Sequence, residues 1–242
     1  MVVALGTMTS LEETAHAVPI KCNGVSNRLA TLGYPESFDD ETVRRALFAL
    51  RRRPVRFFRD NVIACEGDAS DYLFLLVSGV VRSCKRFQNG DRNIIAFYLP
   101  GDLFGWSEPD HAFSVEAASD AMVLFLKRST LYSIASRESR MANFLLAATT
   151  NELRRAQRHA LLIGQSANSR VAMFLTELWA RLGKGKYVDL PMSHQDIADH
   201  LGLTIETLSR TITGMERSGI ITRISTRRLL LRNQPSLVHM MQ

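Results

Sequence analysis

Short apolar or alternating runs fill residues 55–127, and glycines stand between them. Runs of strand length include 72–77 and 93–99, and Asn89-Gly90 precedes the second of these. Because asparagine and glycine tolerate the positive φ angles of a type I′ turn, this pair predicts a hairpin. Many short strands with regularly spaced turns predict a small antiparallel barrel or double-sheet roll.

A long stretch of helix formers follows at 129–163, without proline or internal glycine. It predicts one helix about 45 to 50 Å long, which is unusual in a globular domain, so a partner along its length is expected. The simplest partner is a second copy of the chain. The apolar seam fades at 152–158, which predicts a dimer seam with a polar break rather than a continuous coiled coil. The predicted dimerisation residues are Met141, Leu145, Ala148 and Leu162.

The segment SHQDIADHLGLTIETLSRTITGMERSG has the pattern of two helices joined by a short turn. Ser193 is placed to cap the first helix, Gly202 to end it, and Thr204 to cap the second. So short a turn forces the helices to cross steeply, as in a helix-turn-helix. Apolar runs at 220–224 and 228–231 predict a hairpin beside the second helix, which makes the unit a winged helix-turn-helix.

The second of these helices has two chemically distinct faces. Helical spacing puts Ile205, Leu208, Ile212 and Met215 on an apolar face, and Glu206, Ser209, Arg210, Thr213 and Arg217 on a polar face. The polar face suits the major groove of DNA, because glutamate accepts from cytosine N4, arginine donates two bonds to guanine, and serine serves either role. The predicted base-reading residues are Glu206, Ser209 and Arg210, and the predicted DNA-backbone contacts are Ser193, Thr204, Thr213 and Arg217.

A plainer interpretation of the polar face stays open at this point. Glu206 could only stabilise the amino end of its helix, and Arg210 could belong to a solvated surface. A carboxylate near phosphates is costly unless it meets a specific donor or a neighbouring arginine. An acidic residue on this face therefore favours sequence-specific binding over general attraction to DNA.

Composition is that of an ordinary soluble protein, with 46% hydrophobic and 22% charged residues in a chain of 242. No run is apolar enough to span a bilayer and no secretion signal opens the chain, so a cytoplasmic location is expected. The formal net charge is +6, of which residues 167–242 carry +4, so the positive charge is concentrated around the predicted DNA-binding unit. Cys22, Cys65 and Cys84 lack the spacing of a disulfide framework or a zinc site.

Four segments are expected along the chain. Residues 1–40 are predicted to form a flexible arm, and 41–128 a short helix ended by Pro54 followed by the strands. Residues 129–164 are predicted to form the dimerisation helix, and 165–242 the winged helix-turn-helix.

From about 45 to 232 the chain resembles the CRP/FNR superfamily of bacterial transcription regulators. The resemblance is carried by YLFLLVSGVVRS and LPGDLFG in the strand region and by IETLSRT in the second helix of the helix-turn-helix. It implies an α+β fold with an N-terminal antiparallel β-roll of the cyclic-nucleotide-binding jelly-roll type, a long dimerisation helix and a C-terminal winged helix-turn-helix. It also implies a homodimer that binds double-stranded DNA and contacts RNA polymerase. The E-x-x-S-R pattern of Glu206, Ser209 and Arg210 resembles the FNR branch, whose half-site is TTGAT or the shorter TTG.

The resemblance also bears on which signal the protein senses. Cyclic-nucleotide sensors of the superfamily have an arginine where this chain has Phe113, and an apolar ring cannot hold a phosphate charge. Iron-sulfur sensors of the FNR type need three closely spaced cysteines near the amino end, where only Cys22 lies. The subgroup that the chain resembles most is therefore the FixK-like one. The segments FSVEAASDAMV and LPMSHQDIADHLGLTIETLSRT also carry this resemblance. Such proteins typically act without a bound cofactor and activate genes for low oxygen, nitrogen fixation or denitrification.

We thus expect a DNA-binding activator that recognises TTGAT-N4-ATCAA, with no metal, no cofactor and no cyclic nucleotide. A second hypothesis is a ligand-gated sensor whose β-roll binds a small molecule, or haem through Cys84 or His111, before DNA binding. A third, an enzyme of cupin type, is disfavoured because no H-x-H pair is present to hold a metal. The loops 88–92 and 108–111 are candidate contacts for RNA polymerase.

Overall fold

The computed structural model describes residues 53–182 and 185–241. The predicted arm at 1–40, the short helix before Pro54 and Cys22 lie outside the described residues. The described part is an α+β structure in which an N-terminal β-roll is followed by helices and a C-terminal winged helix-turn-helix, as the sequence predicts. Within the described part no helix is both long and apolar enough to cross a membrane.

Eight antiparallel strands form the roll. They are β1 (Val55–Phe57), β2 (Val62–Ala64), β3 (Tyr72–Ser78), β4 (Val81–Arg86), β5 (Arg92–Tyr98), β6 (Leu103–Phe104), β7 (Ser114–Ala117) and β8 (Ala121–Lys127). One sheet has the order β1-β8-β3-β6 and the other β2-β7-β4-β5. Inward-facing side chains of both sheets make the core of the roll, among them Phe74 and Phe104 of the first sheet and Val81 and Val115 of the second.

The hairpin predicted at Asn89-Gly90 joins β4 and β5, but its turn is not type I′. Gly90 has a positive φ of 88°, whereas Asn89 does not, because the only described non-glycine residue with a positive φ is Asp60. The Gly90 N–H donates to the Phe87 carbonyl at 3.0 Å, and the Phe87 N–H donates to the Asp91 carbonyl at 2.9 Å. The hairpin is therefore confirmed with a longer loop, in which a single left-handed glycine suffices.

The single helix predicted for 129–163 is wrong, because the structure has two helices there. These are α1 (Arg128–Ala135) and α2 (Ser139–Ile163), separated by an extended residue at Glu138. Leu131 of α1 and Met141 and Phe144 of α2 pack on the same apolar cluster of the roll. The break lets both helices reach that cluster, so packing overrides a local sequence that contains no helix breaker.

The C-terminal unit is a winged helix-turn-helix. Its elements are α3 (Ala167–Leu182), β9 (Tyr187–Asp189), α4 (His194–Leu201), α5 (Ile205–Arg217), β10 (Ile221–Ser225), β11 (Arg228–Leu231) and α6 (Gln234–His239). The predicted hairpin of β10 and β11 is confirmed, and β9 adds a third strand in the order β10-β11-β9. The apolar faces of α3, α4 and α5 pack together through residues such as Leu175, Ile197 and Leu208.

Candidate nucleic-acid interface

The first helix of the helix-turn-helix, α4, is fixed at both ends by its own sequence. The Ser193 hydroxyl accepts from the Asp196 N–H at 3.0 Å, and the Asp196 carboxylate accepts from the Ser193 N–H at 3.3 Å, which completes a capping box. Gly202 ends the helix with a left-handed φ of 61°. Arg170 of α3 then donates to the carbonyls of Leu201 and Gly202 at 2.9 and 3.2 Å, so the turn between α4 and α5 is also held from outside.

The second helix, α5, begins two residues after Gly202 at the Thr204 cap. The Thr204 hydroxyl accepts from the Thr207 N–H at 3.2 Å. Leu208, Ile212 and Met215 of its apolar face are buried against α3 and α4, as predicted. The exception is Ile205, which is 40% exposed.

The predicted base-reading residues share one exposed face of α5. Glu206, Ser209 and Arg210 all lie at the surface. Arg210 Nε donates to the Glu206 backbone carbonyl at 3.4 Å, a long bond that leaves the guanidinium directed to solvent. The Glu206 N–H, the Thr204 hydroxyl and the charge of Arg210 lower the pKa of the Glu206 carboxyl below its ordinary value. The face therefore presents an ionised acceptor beside a cationic donor.

The predicted DNA-backbone residues divide into two kinds. Thr204 and Arg217 are exposed at the two ends of α5. The hydroxyl of Ser193 is used in the capping box, and that of Thr213 accepts from Arg223 of the wing at 3.2 Å. The cap formed by Ser193 is the one that the sequence predicts, whereas the bond between Thr213 and Arg223 joins residues of two elements and has no signal in the sequence.

Three arginines of the wing, the hairpin of β10 and β11, follow closely after α5, which we call the reading helix. The sequence pattern did not mark these arginines as functional. Arg223 is fixed by Glu216 at 3.4 Å, and Arg228 by Asp189 at 3.0 Å. Arg227 is exposed at the turn between β10 and β11. The positive charge of the C-terminal unit indicates that such arginines exist. The apolar positions of the hairpin do not show which arginines they are.

Inside the roll, the residues that correspond to a cyclic-nucleotide site have other partners. The Asp102 carboxylate is 1% exposed and binds Arg181 at 2.8 Å and Arg155 at 3.2 Å. The Ser114 hydroxyl accepts from the Glu66 N–H at 3.1 Å. Phe113, which precedes Ser114, carries no charge that could pair with a phosphate.

The cysteine and histidine candidates of the roll, Cys84 and His111, are both buried. Burial raises the pKa of the Cys84 thiol to about 11. Burial and the nearby Asp68 carboxylate raise the pKa of the Cys65 thiol. His111 is buried with its ring against Phe74, and burial lowers its pKa. Across 53–182 and 185–241, no three histidine, cysteine or acidic side chains are grouped so as to hold a metal.

The predicted dimerisation residues lie on the inner side of α2. Met141, Leu145 and Leu162 are 1%, 8% and 6% exposed within a single chain, and Ala148 packs beside the same cluster as Met141. These side chains are used to hold α2 against the rest of the protomer. The exposed apolar side chains of α2 are others and include Leu146, Leu153 and Leu161, which are 67%, 58% and 69% exposed.

The two loops suggested for RNA polymerase are only partly exposed. Arg92, at the end of the first loop, is held by the two carboxylates of α4 at 2.6 and 2.7 Å. His111, at the end of the second, is 5% exposed. The remaining surface of the first loop consists of residues 88–91, all of which are exposed.

Comparisons with known proteins agree with this architecture. The family described as a Crp-like helix-turn-helix domain matches residues 169–240, and the family described as a cyclic nucleotide-binding domain matches 54–138. The nitrogen fixation regulation protein FixK of Azorhizobium caulinodans is 39% identical over 92% of this chain and 95% of its own length. The transcriptional activatory protein AadR of Rhodopseudomonas palustris is 38% identical over 69% of this chain and 72% of its own.

Among solved structures, FixK2 from Bradyrhizobium japonicum is similar to this chain with a TM-score of 0.75 and 39% identity. The match covers 78% of this chain and 96% of FixK2. Because the similarity extends over both sequence and fold, the described strands, helices and winged helix-turn-helix have the same arrangement as in FixK2.

Proposed function

The chain belongs to the FixK-like members of the CRP/FNR superfamily of transcription regulators, and we propose that it works as a homodimer that needs no bound effector. It is a DNA-binding regulator and not an enzyme. The target that we propose is the palindrome TTGAT-N4-ATCAA. We also propose that the protein is located in the cytoplasm, because a regulator that binds this target needs access to the genome.

The observation that carries the proposed target is the exposed group of Glu206, Ser209 and Arg210 on a firmly capped helix. The half-site TTGAT contains one G·C pair. Arg210 can donate to guanine O6 and N7, and Glu206 can accept from the N4 amino group of the paired cytosine. Ser209, between them on the helix, can contact a neighbouring thymine. One base pair would then receive three charge-assisted hydrogen bonds from two side chains, which makes it the strictest position of the site.

Contacts to the sugar-phosphate backbone would hold this helix in register. We assign them to Thr204 and Arg217, which are exposed at the two ends of α5. Ser193 and Thr213 are less exposed and their hydroxyls have partners in the protein, so they contribute by holding α4 and the wing in place. The Thr204 hydroxyl accepts from the Thr207 N–H, but it is exposed and can still donate to a phosphate. Arg227, at the tip of the wing, is a further candidate for a phosphate contact.

The homodimer that we propose pairs the outer faces of two α2 helices. Leu146, Leu153 and Leu161 follow one another at spacings of seven and eight residues, so they share one face of α2. Three highly exposed leucines on one helix face favour burial against a second copy. Such a dimer carries two α5 helices for two half-sites about 34 Å apart.

Effector independence is supported by the contacts of Asp102. Its carboxylate is engaged by Arg155 of α2 and Arg181 of α3, so side chains of the protein itself tie the roll to both helices. The nitrogen-fixation name of the FixK relative and the activator name of AadR support activation of genes for low oxygen or nitrogen metabolism. The exposed loop 88–91 is the proposed contact for RNA polymerase.

Equilibrium binding to a fluorescent palindrome tests the proposal. Purified protein, stripped of small molecules and with its mass determined, should bind TTGAT-N4-ATCAA tightly by fluorescence anisotropy. It should bind a scrambled duplex with an affinity at least about a thousandfold weaker. Binding that needs cyclic nucleotide or haem would support the ligand-gated alternative, which the match to a cyclic nucleotide-binding domain favours. Equal binding to both duplexes would refute sequence recognition.

A further inference from the structure

We infer that Arg82 and Arg92 of the roll, with Asp196 and Asp199 of α4, position the reading helix and set the half-site spacing that the dimer accepts. This inference rests on the proposed function. None of the four side chains lies on the base-reading face. They form a cluster at the junction of the roll and the helix-turn-helix, which we call the junction cluster.

The junction cluster joins two elements that are distant in the chain. Arg92 of β5 donates from Nη2 to Asp196 at 2.6 Å and from Nε to Asp199 at 2.8 Å. Arg82 of β4 donates from Nη1 to the same Asp196 oxygen at 3.0 Å. Two arginines of one sheet therefore bind two carboxylates that lie one helical turn apart on α4.

The roll holds its side of the junction cluster in a fixed geometry. The other nitrogens of Arg82 donate to Glu116 of the adjacent strand β7 at 2.6 and 3.0 Å and to Asp60 at 2.9 Å. Arg82 and Glu116 face each other directly in the register of β4 and β7. Because Arg82, Glu116 and Asp196 are only 3%, 4% and 1% exposed, the guanidinium cannot turn away without leaving a buried charge unpaired.

The helix-turn-helix holds its side equally firmly. Asp196 is also the residue that closes the capping box at the start of α4, so its carboxylate is fixed to the helix backbone. His200, one turn beyond Asp196, bonds through Nδ1 to the Ile94 carbonyl of β5 at 3.0 Å, and its ring packs against Phe97 and Phe174. Contacts at successive turns fix both the position and the rotation of α4 on the sheet.

Movement of α4 is passed directly to the reading helix. Only three residues separate α4 from α5, and Leu201 of α4 and Leu208 of α5 belong to the same buried cluster. The apolar packing across the junction, for example around Ile94 and Phe97, is not directional. Charge-assisted bonds have fixed geometry, so they select one orientation from those that the apolar contacts permit.

The consequence for the dimer is a defined distance between two reading helices. Buried ion pairs contribute little to net stability, so orientation is the effect by which the junction cluster can be recognised. If it were only a stabilising contact, its loss would weaken binding to every palindrome alike. If it positions α5, its loss should let the dimer accept palindromes with shorter or longer spacers.

Binding to a series of palindromes tests this difference. The half-sites are kept and the spacer is shortened or lengthened by one or two base pairs. The wild-type dimer should prefer the best spacer by about tenfold or more, a discrimination comparable to that of a base-pair mismatch. The Arg92→Ala variant should lower that preference to about threefold or less. Footprinting on the same series of palindromes should find the same loss of preference. The conservative Asp199→Asn variant, which keeps the shape of a side chain 13% exposed, should act in the same direction.

A double-mutant cycle and a control complete the design. Asp199→Ala should add little to Arg92→Ala, since both remove the same contact. The control pair is Lys85→Ala and Glu66→Ala, an exposed ion pair within the roll, which should leave the spacer preference unchanged. Unchanged preference in folded Arg92→Ala and Asp199→Asn would overturn the inference while the proposed function stands. Failure of the wild type to bind any palindrome would overturn both.

Discussion

Replacing Arg210 with alanine separates base reading from folding. Its guanidinium is exposed, and its bond to the Glu206 carbonyl is long at 3.4 Å. Removing it should therefore change the free energy of unfolding by less than about 0.5 kcal/mol, as is usual for a surface position. Alanine also keeps the helix, because it has the highest helix propensity. Any large loss of DNA binding is then a loss of contacts to DNA.

The size of that loss follows from the proposed contact. A bidentate bond from arginine to guanine contributes about 1 to 3 kcal/mol of discrimination. A homodimer makes it twice, so the free energy of binding to the palindrome should weaken by about 2 to 6 kcal/mol. This corresponds to roughly 30-fold at the lower limit and more than ten-thousandfold at the upper limit.

Fluorescence anisotropy on two duplexes provides the assay. One duplex carries TTGAT-N4-ATCAA, and in the other both G·C pairs are replaced by A·T. The wild type should lose about 2 to 6 kcal/mol on the second duplex, whereas Arg210→Ala should bind both almost equally. Arg227→Ala, which removes the same charge from the wing, is the matched control and should weaken both duplexes alike. If Arg210→Ala also weakened both alike, Arg210 would not read guanine.

Three further predictions follow from the described contacts. Leu153→Asp, at a side chain 58% exposed, should convert the dimer to a folded monomer that has lost tight binding to the palindrome; a dimer by light scattering would contradict the α2 interface. Arg217→Ala should reduce the slope of log Kd against log salt by about 1 per half-site, and an unchanged slope would exclude its phosphate contact. Burial and the neighbouring His159 lower the pKa of His200 to about 4. Since the unfolded chain takes up this proton near about pH 6.5, the free energy of unfolding should fall by on the order of 3 kcal/mol between pH 6.5 and 4. Urea titrations should find that fall reduced in His200→Gln, and an equal fall in both proteins would refute the assignment.

The helix-turn-helix could be predicted from the sequence because its determinants are local. Ser193 and Thr204 cap helices within three residues of themselves, and Gly202 ends α4 in a left-handed conformation. The period of 3.6 residues separates the buried Leu208 from the exposed Arg210. Each of these signals spans less than two helical turns, so no knowledge of the rest of the fold is needed.

The junction cluster could not be predicted because its partners are far apart in the chain. Arg82 and Asp196 are separated by 114 positions, and no periodicity relates a strand residue to a helix residue. A charged residue directly after two valines in a strand, as Arg82 is, is the available signal that a buried partner exists. It does not identify that partner.

The predicted dimerisation residues of α2 remain a prediction, and long-range packing bears on them in a related way. The sequence favours the most apolar side of α2, which includes Met141 and Leu145, as the surface for a second copy. The structure uses that side to cover the roll and leaves Leu146 and Leu153 exposed. A hydrophobic stripe reports that something packs there, but not whether the partner is the same chain or another.

Selection from a random DNA pool tests the central claim most directly. Purified protein without any added ligand should enrich inverted repeats of TTGAT separated by four base pairs, with guanine the least variable position in each half. The same selection with Arg210→Ala should lose the preference for guanine. Recovery of no common motif from the wild type, or of a motif only after a cyclic nucleotide or haem is added, would contradict an effector-independent, sequence-reading dimer.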